Sequence, residues 1–395
     1  MYSGADFYSL AENSHKQVLN VIRIYREISG AEIARITGFQ PSTILYILRI
    51  LDRKGFIRIS RTGDSTRKGG KKPVLWQIKP GIGLMLGIEV FKNKLRYVKH
   101  DFAGNQYSKG EKVFDVALDK TNALEVLIGL IKEIMDDEDL NHQSFLGVGI
   151  GMPGLVDSKQ GILQYSSLLQ VKDLEIGEKL QQKLKKPVFV VNDANAGALS
   201  ISWYHHDLDK QLPEHIVYLT YNQGSKNLGA GLIINHELYE GLSGTAGEIF
   251  TPLPDQGILL KEAIRKYGRE HPLMLENQYP ELVTFKKLVD HALNGCPLAS
   301  YVVDRICDLI SEEIVRLTGL LNPNLIVLGG DITYREELLT GRILPGTRRK
   351  ISSMLKIGFT MPGICFSSFG EYSVAIGATA MILSQILKIQ NLKTR

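Results

Sequence analysis

The 395-residue sequence predicts an α/β protein in three parts: a small basic module of three helices closed by a two-stranded hairpin over residues 1–80, then two lobes of alternating strands and helices. Three observations carry this. Capped helical patterns follow one another at short intervals before residue 55, positive charge gathers in the same stretch, and beyond Pro80 strand and helix patterns alternate in two similar sets. The first 80 residues hold fourteen Lys and Arg against six Asp and Glu, a net of +8, whereas the whole chain nets +5, so the other 315 residues net −3. The cations are thus concentrated where contacts with phosphates would need them.

Asn13 is expected to cap a first helix in which Val18, Val21, Ile22 and Tyr25 recur at i, i+3, i+4 and i+7, giving one buried stripe. Ser29 and Glu32 have the S-x-x-E form of a capping box, opening a short helix through Ile33 and Ile36 that Gly38 ends. Gln40 and Pro41 open a third helix, with Ile44, Ile47, Leu48 and Leu51 facing inward and Gly55 stopping it. Two helices joined by a tight glycine turn form a helix-turn-helix, whose second helix enters the DNA major groove by its N-terminal end. The outward candidates there are Gln40, Ser42, Thr43, Tyr46 and Arg49. Residues 56–60 and 74–78 alternate like strands, and the connection between them carries Arg67, Lys68, Lys71 and Lys72, which makes a wing. A solvated charge run or a protein-contact module is the bland reading. A glycine-rich basic loop beside a capped helix-turn-helix instead fits a winged helix bound to duplex DNA.

Hydrophobic residues make up 44% and charged residues 23%, enough for a substantial core and without the signature of disorder. No run approaches the eighteen or so apolar residues of a membrane span, and residues 1–6 lack the basic and apolar regions of a signal peptide, so no membrane partner and a cytoplasmic location are expected. Cys296, Cys307 and Cys365 are odd in number and far apart, which reads as reduced thiols without metal-ligand spacing.

Beyond residue 80, strands are expected at 83–90, 95–98, 145–150 and 188–191, with helices at 121–136, 176–184 and 194–205. A second set follows: strands at 215–220, 230–234 and 325–330, and a helical stretch from about 258 to 303 and onward. The expected lobes are 81–200 and 201–371, with a ligand cleft between them.

Five segments in order carry a resemblance: the winged helix, Gly149-Ile-Gly-Met-Pro-Gly-Leu-Val-Asp157, Asn192-Asp-Ala-Asn-Ala196, Gly244-Thr-Ala-Gly-Glu248 and Asn322-Pro-Asn-Leu-Ile-Val-Leu-Gly-Gly330. Together they resemble the ROK family of repressors, open reading frames and sugar kinases, over nearly the whole chain. The resemblance implies an actin-like core of two α/β lobes, with a C-terminal helix near 372–388 and the tail to 395 returning to the first. It also implies sugar-binding roles for Asn192, Asp193, Glu248 and Glu262. In family kinases the residue matching Asp193 is the general base; a carboxylate also serves a pure binder, or caps the following helix. Gly149, Gly151 and Gly154 match G-x-G-x-x-G too, but Pro153 and the turn at 157–161 oppose the helix a dinucleotide site requires.

The departures from the kinase pattern lie on the phosphate side. Glu89-Val-Phe-Lys-Asn93 stands where kinases have Asp-x-Gly-Gly-Thr, and Gly224-Ser-Lys-Asn-Leu-Gly229 replaces Gly-x-Gly-x-Gly, although Lys92 and Lys226 could still attract an anion. Phe250 and Thr251 occupy the Gly and His positions of the family's zinc motif. The expected protein is therefore a sugar-responsive DNA-binding regulator, a repressor with a sugar or sugar-phosphate effector. It should need no metal or cofactor and work as a homodimer or higher homo-oligomer. An ATP-dependent sugar kinase with a DNA-binding extension is the alternative.

Overall fold

The structure is a computed structural model and describes residues 12–63, 72–136, 145–204, 213–223, 227–252, 254–269, 271, 273–274, 279, 283–355, 358 and 360–388. Contacts divide the chain into two compact units. The first takes residues 1–193, 203–211 and 375–395, the second 194–202 and 212–374.

The N-terminal module runs α1 (Asn13–Tyr25), β1 (Ile28–Ser29), α2 (Gly30–Thr37), α3 (Pro41–Arg53), β2 (Ile57–Thr62) and β3 (Val74–Ile78), its three strands antiparallel in the order β1-β3-β2. The capping box forms in full: Ser29 Oγ accepts from Glu32 N at 3.2 Å and Glu32 Oε2 accepts from Ser29 N at 3.0 Å. Gly38 ends α2 in the left-handed region and Pro41 stands in the first turn of α3. The first cap differs from expectation. Helix α1 begins one residue sooner, so Asn13 lies inside it, and Glu12 holds the cap position with its carboxylate on His15 Nδ1 at 2.8 Å. The buried stripe is Val18, Leu19, Val21 and Ile22; Tyr25, where the helix ends, is exposed.

This core does not stop at the module boundary. Val18, Ile22, Ile33, Ile44, Leu48 and Phe56 share one apolar cluster with Met85, Phe102 and Leu146 of the following sheet and with Ile382, Leu383, Ile386 and Leu387 near the C-terminus.

The first unit continues with β4 (Leu84–Val90), β5 (Lys94–His100), β6 (Gln106–Val113), α4 (Ala123–Met135), β7 (Phe145–Met152), β8 (Leu155–Asp157), β9 (Ile162–Ser166), β10 (Val171–Leu174), α5 (Ile176–Leu184), β11 (Val188–Asn192) and the start of α6 (Asp193–Tyr204). Its sheet has the order β11-β7-β4-β5-β6, parallel across β4, β7 and β11 and antiparallel through β5 and β6. Strands β8 to β10 form a small antiparallel sheet, and the turn expected at 157–161 joins β8 to β9.

The second unit holds β12 (Ile216–Tyr221), β13 (Asn227–Ile234), β14 (Glu237–Leu238), β15 (Glu248–Pro252), α7 (Gln256–Tyr267), α8 (Phe285–Leu293), α9 (Pro297–Leu321), β16 (Leu325–Gly330), α10 (Glu336–Leu355) and β17 (Gly363–Phe366). Strand β12 repeats the role of β4, antiparallel to β13 on one side and parallel to β16 on the other, with β17 parallel beyond. The duplicated scheme expected from sequence is therefore present. The long helical stretch is in fact broken. Helix α7 stops at Gly268, and α8 and α9 are separated by Gly295 and Cys296. Helix α10 escaped sequence reading because Gly341, Pro345 and Gly346 interrupt its pattern, yet Leu339, Ile343, Thr347 and Ile351 recur every four residues and are all buried.

The last helix, α11 (Ser373–Ile386), belongs to the first unit from Ala375 onward. One face of β4 sends Leu84, Leu86, Ile88 and Val90 into the core shared with α4 and α5. The opposite face carries Gly87, and β7 carries Gly149 beside it, paired in register. A Cβ on Gly87 would collide with the carbonyl oxygen of Ala375, and one on Gly149 with that of Ala378. The space these glycines leave is taken by the backbone of α11. Gly149→Ala should destabilise by about 3 kcal/mol, the upper range for overpacking. Gly129→Ala, on α4 with nothing near its Cβ position, should stabilise by about 0.5–1 kcal/mol through helix propensity. Urea unfolding of the two variants checks the contrast.

Candidate functional site

Two groups of residues stand out, on different elements. The first lies on α3. Its inward residues Ile44, Ile47, Leu48 and Leu51 are buried, which turns the rest of the helix outward. Gln40, Ser42, Thr43, Tyr46 and Arg49 are all exposed, Tyr46 to 63%. Leu45, also exposed, shares this face and was missed in sequence because an isolated leucine beside a buried stripe reads as core. Exposed Arg35, Arg53 and Arg58 add to the charge of the module. In the wing, Lys72 is exposed, while Arg67, Lys68 and Lys71 lie outside the described residues. Its base is tied down by Arg61, whose Nε donates to Glu27 Oε2 at 3.0 Å, and by Ser60 on the same carboxylate.

The second group sits where strands end. Parallel strand β11 stops at Asn192, opposite Met152 of β7, and α6 starts at Asp193. Asn192 Nδ2 donates to the carbonyl oxygen of Gly154 at 2.9 Å, joining two of the motifs read from sequence. No helix opens after Gly154: β8 follows instead, which removes the dinucleotide reading. Asp193 is half-buried in the first turn of α6, where the helix dipole favours an anion, so capping and ligand binding ask for the same carboxylate.

In the second unit Glu248 opens β15 opposite Gly229 of β13. Gly247 before it has φ of 88°, and a Cβ there would collide with the carbonyl oxygen of Ala230, so the Gly-Glu pair is fixed by backbone packing. Burial raises the Glu248 carboxyl above the ordinary range, as expected of a charge short of solvent. Glu262 is exposed on α7 and accepts a hydrogen bond from Tyr301 Oη at 3.2 Å; no hydrogen bond brings it to Glu248.

The altered phosphate-loop positions can be described in part. Residues 224–226 lie outside the described residues. At the end of β4, Glu89 Oε2 is 3.7 Å from Arg96 Nη1, and Arg96 Nε also donates to Glu111. Lys94 Nζ and the Arg96 guanidinium lie 4.8 and 5.0 Å from the centre of the Phe91 ring. A salt bridge and an aromatic ring thus mark the end of β4. Gln223, which sequence reading did not single out, donates through Nε2 to Val283 O at 3.2 Å and accepts from Phe285 N at 2.8 Å, while its own N–H donates to Asp331 Oδ2. No described helix is long and apolar enough to cross a membrane.

These elements define a winged helix joined to a duplicated α/β core with polar residues at its strand ends. A family model described as ROK family matches residues 86–255 and 256–385, and the chain belongs to that family. A xylose repressor of Caldicellulosiruptor bescii is 24% identical across 94% of this chain and 95% of its own. Among solved structures, a ROK family transcriptional regulator homologous to the E. coli MLC protein superposes with a TM-score of 0.74, at 19% identity, over 96% of this chain and 98% of its own. A ROK family glucokinase from Streptomyces griseus, solved with glucose and AMPPNP, gives 0.62 at 19% identity, over 76% of this chain and 99% of its own. At these identities the two structures establish the fold.

A raised folded-state pKa has a definite sign. Relative to the unfolded chain, Glu248 favours folding while protonated and loses that contribution as pH rises through its folded value. Glu248→Gln should therefore melt above wild type at neutral pH, with the gap closing toward about pH 4, near the unfolded carboxyl's own pKa. Thermal melts across that range measure it; a gap that widens on acidification would contradict the assignment.

Proposed function

We propose that this chain is a sugar-responsive transcriptional regulator, a repressor that binds duplex DNA through α3 and the wing and takes a sugar or sugar phosphate, with Asn192 and Asp193 of the first unit as ligands and Glu248 of the second as a further candidate. The observation that carries the reading is the module itself. An exposed helix bearing Ser42, Thr43, Tyr46 and Arg49, on a domain of net charge +8, is built into a ROK core. Coverage supports it. The solved regulator accounts for 96% of this chain and the glucokinase for 76%, a shortfall of about the module's size. The relative named a xylose repressor supports a sugar as the effector.

Side-chain chemistry suits the two tasks. Hydroxyl, amide and guanidinium groups on α3 are the donors and acceptors that read base edges, and exposed Leu45 fits a thymine methyl. Cations of the wing meet phosphates. A homodimer would place two recognition helices on half-sites spaced by whole helical turns. The retained Asp193 is the one feature that favours a kinase. Against it, phosphoryl transfer needs a preorganised cradle for the phosphate charge, and Phe91 with the Glu89, Arg96 and Glu111 cluster fills the first loop position.

Four measurements test the proposal. Alanine at Arg67, Lys68, Lys71 and Lys72 should weaken duplex binding and flatten its salt dependence, because fewer counterions are released; an unchanged salt slope takes the wing out of the interface. A thermal-shift screen of D-xylose, other pentoses, hexoses, N-acetylhexosamines and their phosphates should find a stabilising ligand. Asp193→Ala should then lose about 1.5–3 kcal/mol of its binding, roughly 10- to 150-fold by calorimetry, while ligand-free DNA binding survives. Sugar-dependent ADP release should be absent, and turnover on the order of 1 per second would restore the kinase reading.

A further inference from the structure

Helix α6 has a second end. Its twelve residues begin at Asp193 and finish at Trp203 and Tyr204, a span of about 16 Å at the usual rise per residue. The last carbonyls of a helix have no partner within it. Here Arg23 of α1, in the N-terminal module, supplies one: its Nη1 donates to the carbonyl oxygen of Trp203 at 3.1 Å, and its guanidinium lies 4.9 Å from the centre of the Trp203 ring. Asn20 Oδ1 accepts from Arg23 Nε at 3.2 Å and orients the group. Arg23 is only 4% exposed, and no described carboxylate forms a salt bridge with it.

That environment is unusual for a buried cation, which ordinarily sits against a counter-ion. Burial brings its pKa down to about 10, so it stays charged at neutral pH. What holds it is the negative end of a helix dipole and an aromatic face, and both partners belong to the final turn of α6. Tyr204 is fastened as well. Its hydroxyl pairs with Thr379 Oγ1 of α11 at 2.8 Å, Thr379 Oγ1 lies 3.3 Å from His100 Nδ1, and the His100 and Tyr204 rings meet edge to face at 5.1 Å. The middle of α6 has no slack either. A Cβ on Gly197 would collide with the Tyr218 ring, and one on Gly231 with the carbonyl oxygen of Ala194.

We propose that Arg23 is the positioning residue through which a sugar at Asp193 reaches the DNA-binding module, because its guanidinium docks α1 on the far end of the helix that Asp193 begins. The inference rests on the proposed sugar-binding role of Asp193. A sugar that draws the start of α6 toward itself moves a rigid rod, and the Trp203 carbonyl and ring shift under Arg23. The dock then favours a different orientation of α1. The two states must differ in affinity for sugar, since a ligand indifferent to them shifts nothing.

The test compares duplex affinity with and without saturating sugar in the full chain, using a duplex recovered from a random pool and D-xylose, D-glucose and N-acetyl-D-glucosamine as probes. In wild type one probe should change duplex affinity by roughly 5- to 150-fold. In Arg23→Met that ratio should fall to about 1 while the affinity for sugar alone stays near wild type, and Arg23→Lys, which keeps a charged donor, should recover part of it. Tyr204→Phe removes one oxygen and keeps the ring; it should lower the ratio too, and it carries the test if Arg23→Met does not fold. Trp76 and Trp203 are the two tryptophans of the chain, so in a Trp76→Phe background the emission of Trp203 should shift on sugar addition and lose that shift with Arg23→Met. A folded Arg23→Met or Tyr204→Phe protein with the full wild-type ratio overturns the inference and leaves the regulator reading standing. A wild type that binds the duplex but responds to none of the probes overturns the regulator reading and the inference with it.

Discussion

Helix α11 can reach the first sheet only because two of the strands beneath it present hydrogen atoms where side chains would be. Gly87 and Gly149 bring the carbonyls of Ala375 and Ala378 to backbone distance, and much else follows from that approach. Held so low on the sheet, the helix projects Ile382, Leu383 and Ile386 into the apolar cluster that α1, α2 and α3 share. The winged helix is therefore not a bead on a tether. Its core is completed by a helix near the C-terminus, and its packing is continuous with that of the sheet.

What was legible in sequence had short-range causes. Ser29 and Glu32 lie three residues apart and satisfy each other's backbone, so the start of α2 could be read without knowing the fold. The apolar run at 325–330 emerged as β16, buried between two parallel neighbours. Long-range causes left no such trace. Helix α10 contains a proline and two glycines that local propensity counts against it, and burial against α9 overrides them. Strands β8 to β10 are too short for a clear alternation. Arg23 and Trp203 are 180 positions apart, and an arginine within an amphipathic helix gives no sign that it will be buried.

The candidate sites show the same division. Outward residues of α3 follow from helical period once the inward stripe is known, so all five came out exposed. Asn192 and Asp193 were legible as polar residues at a strand end. The pairing of Asn192 with the Gly154 carbonyl needed the fold. At residues 89–93, the sequence showed no glycine. Only the structure showed what gathers there, an arginine shared by two carboxylates and covered by an aromatic ring. Such a cluster is expensive to desolvate.

The shared core at α11 also orders events during synthesis. The N-terminal module leaves the ribosome well before the residues of α11 that finish its apolar cluster. Contacts between opposite chain ends form slowly, because the intervening loop must close before they repay its entropy. Until then Ile33, Ile44 and Phe56 lack part of their cover, and a partial chain carries a basic recognition helix on an unfinished base. A chain that stops short of α11 therefore holds the helices of its N-terminal module on an incomplete core.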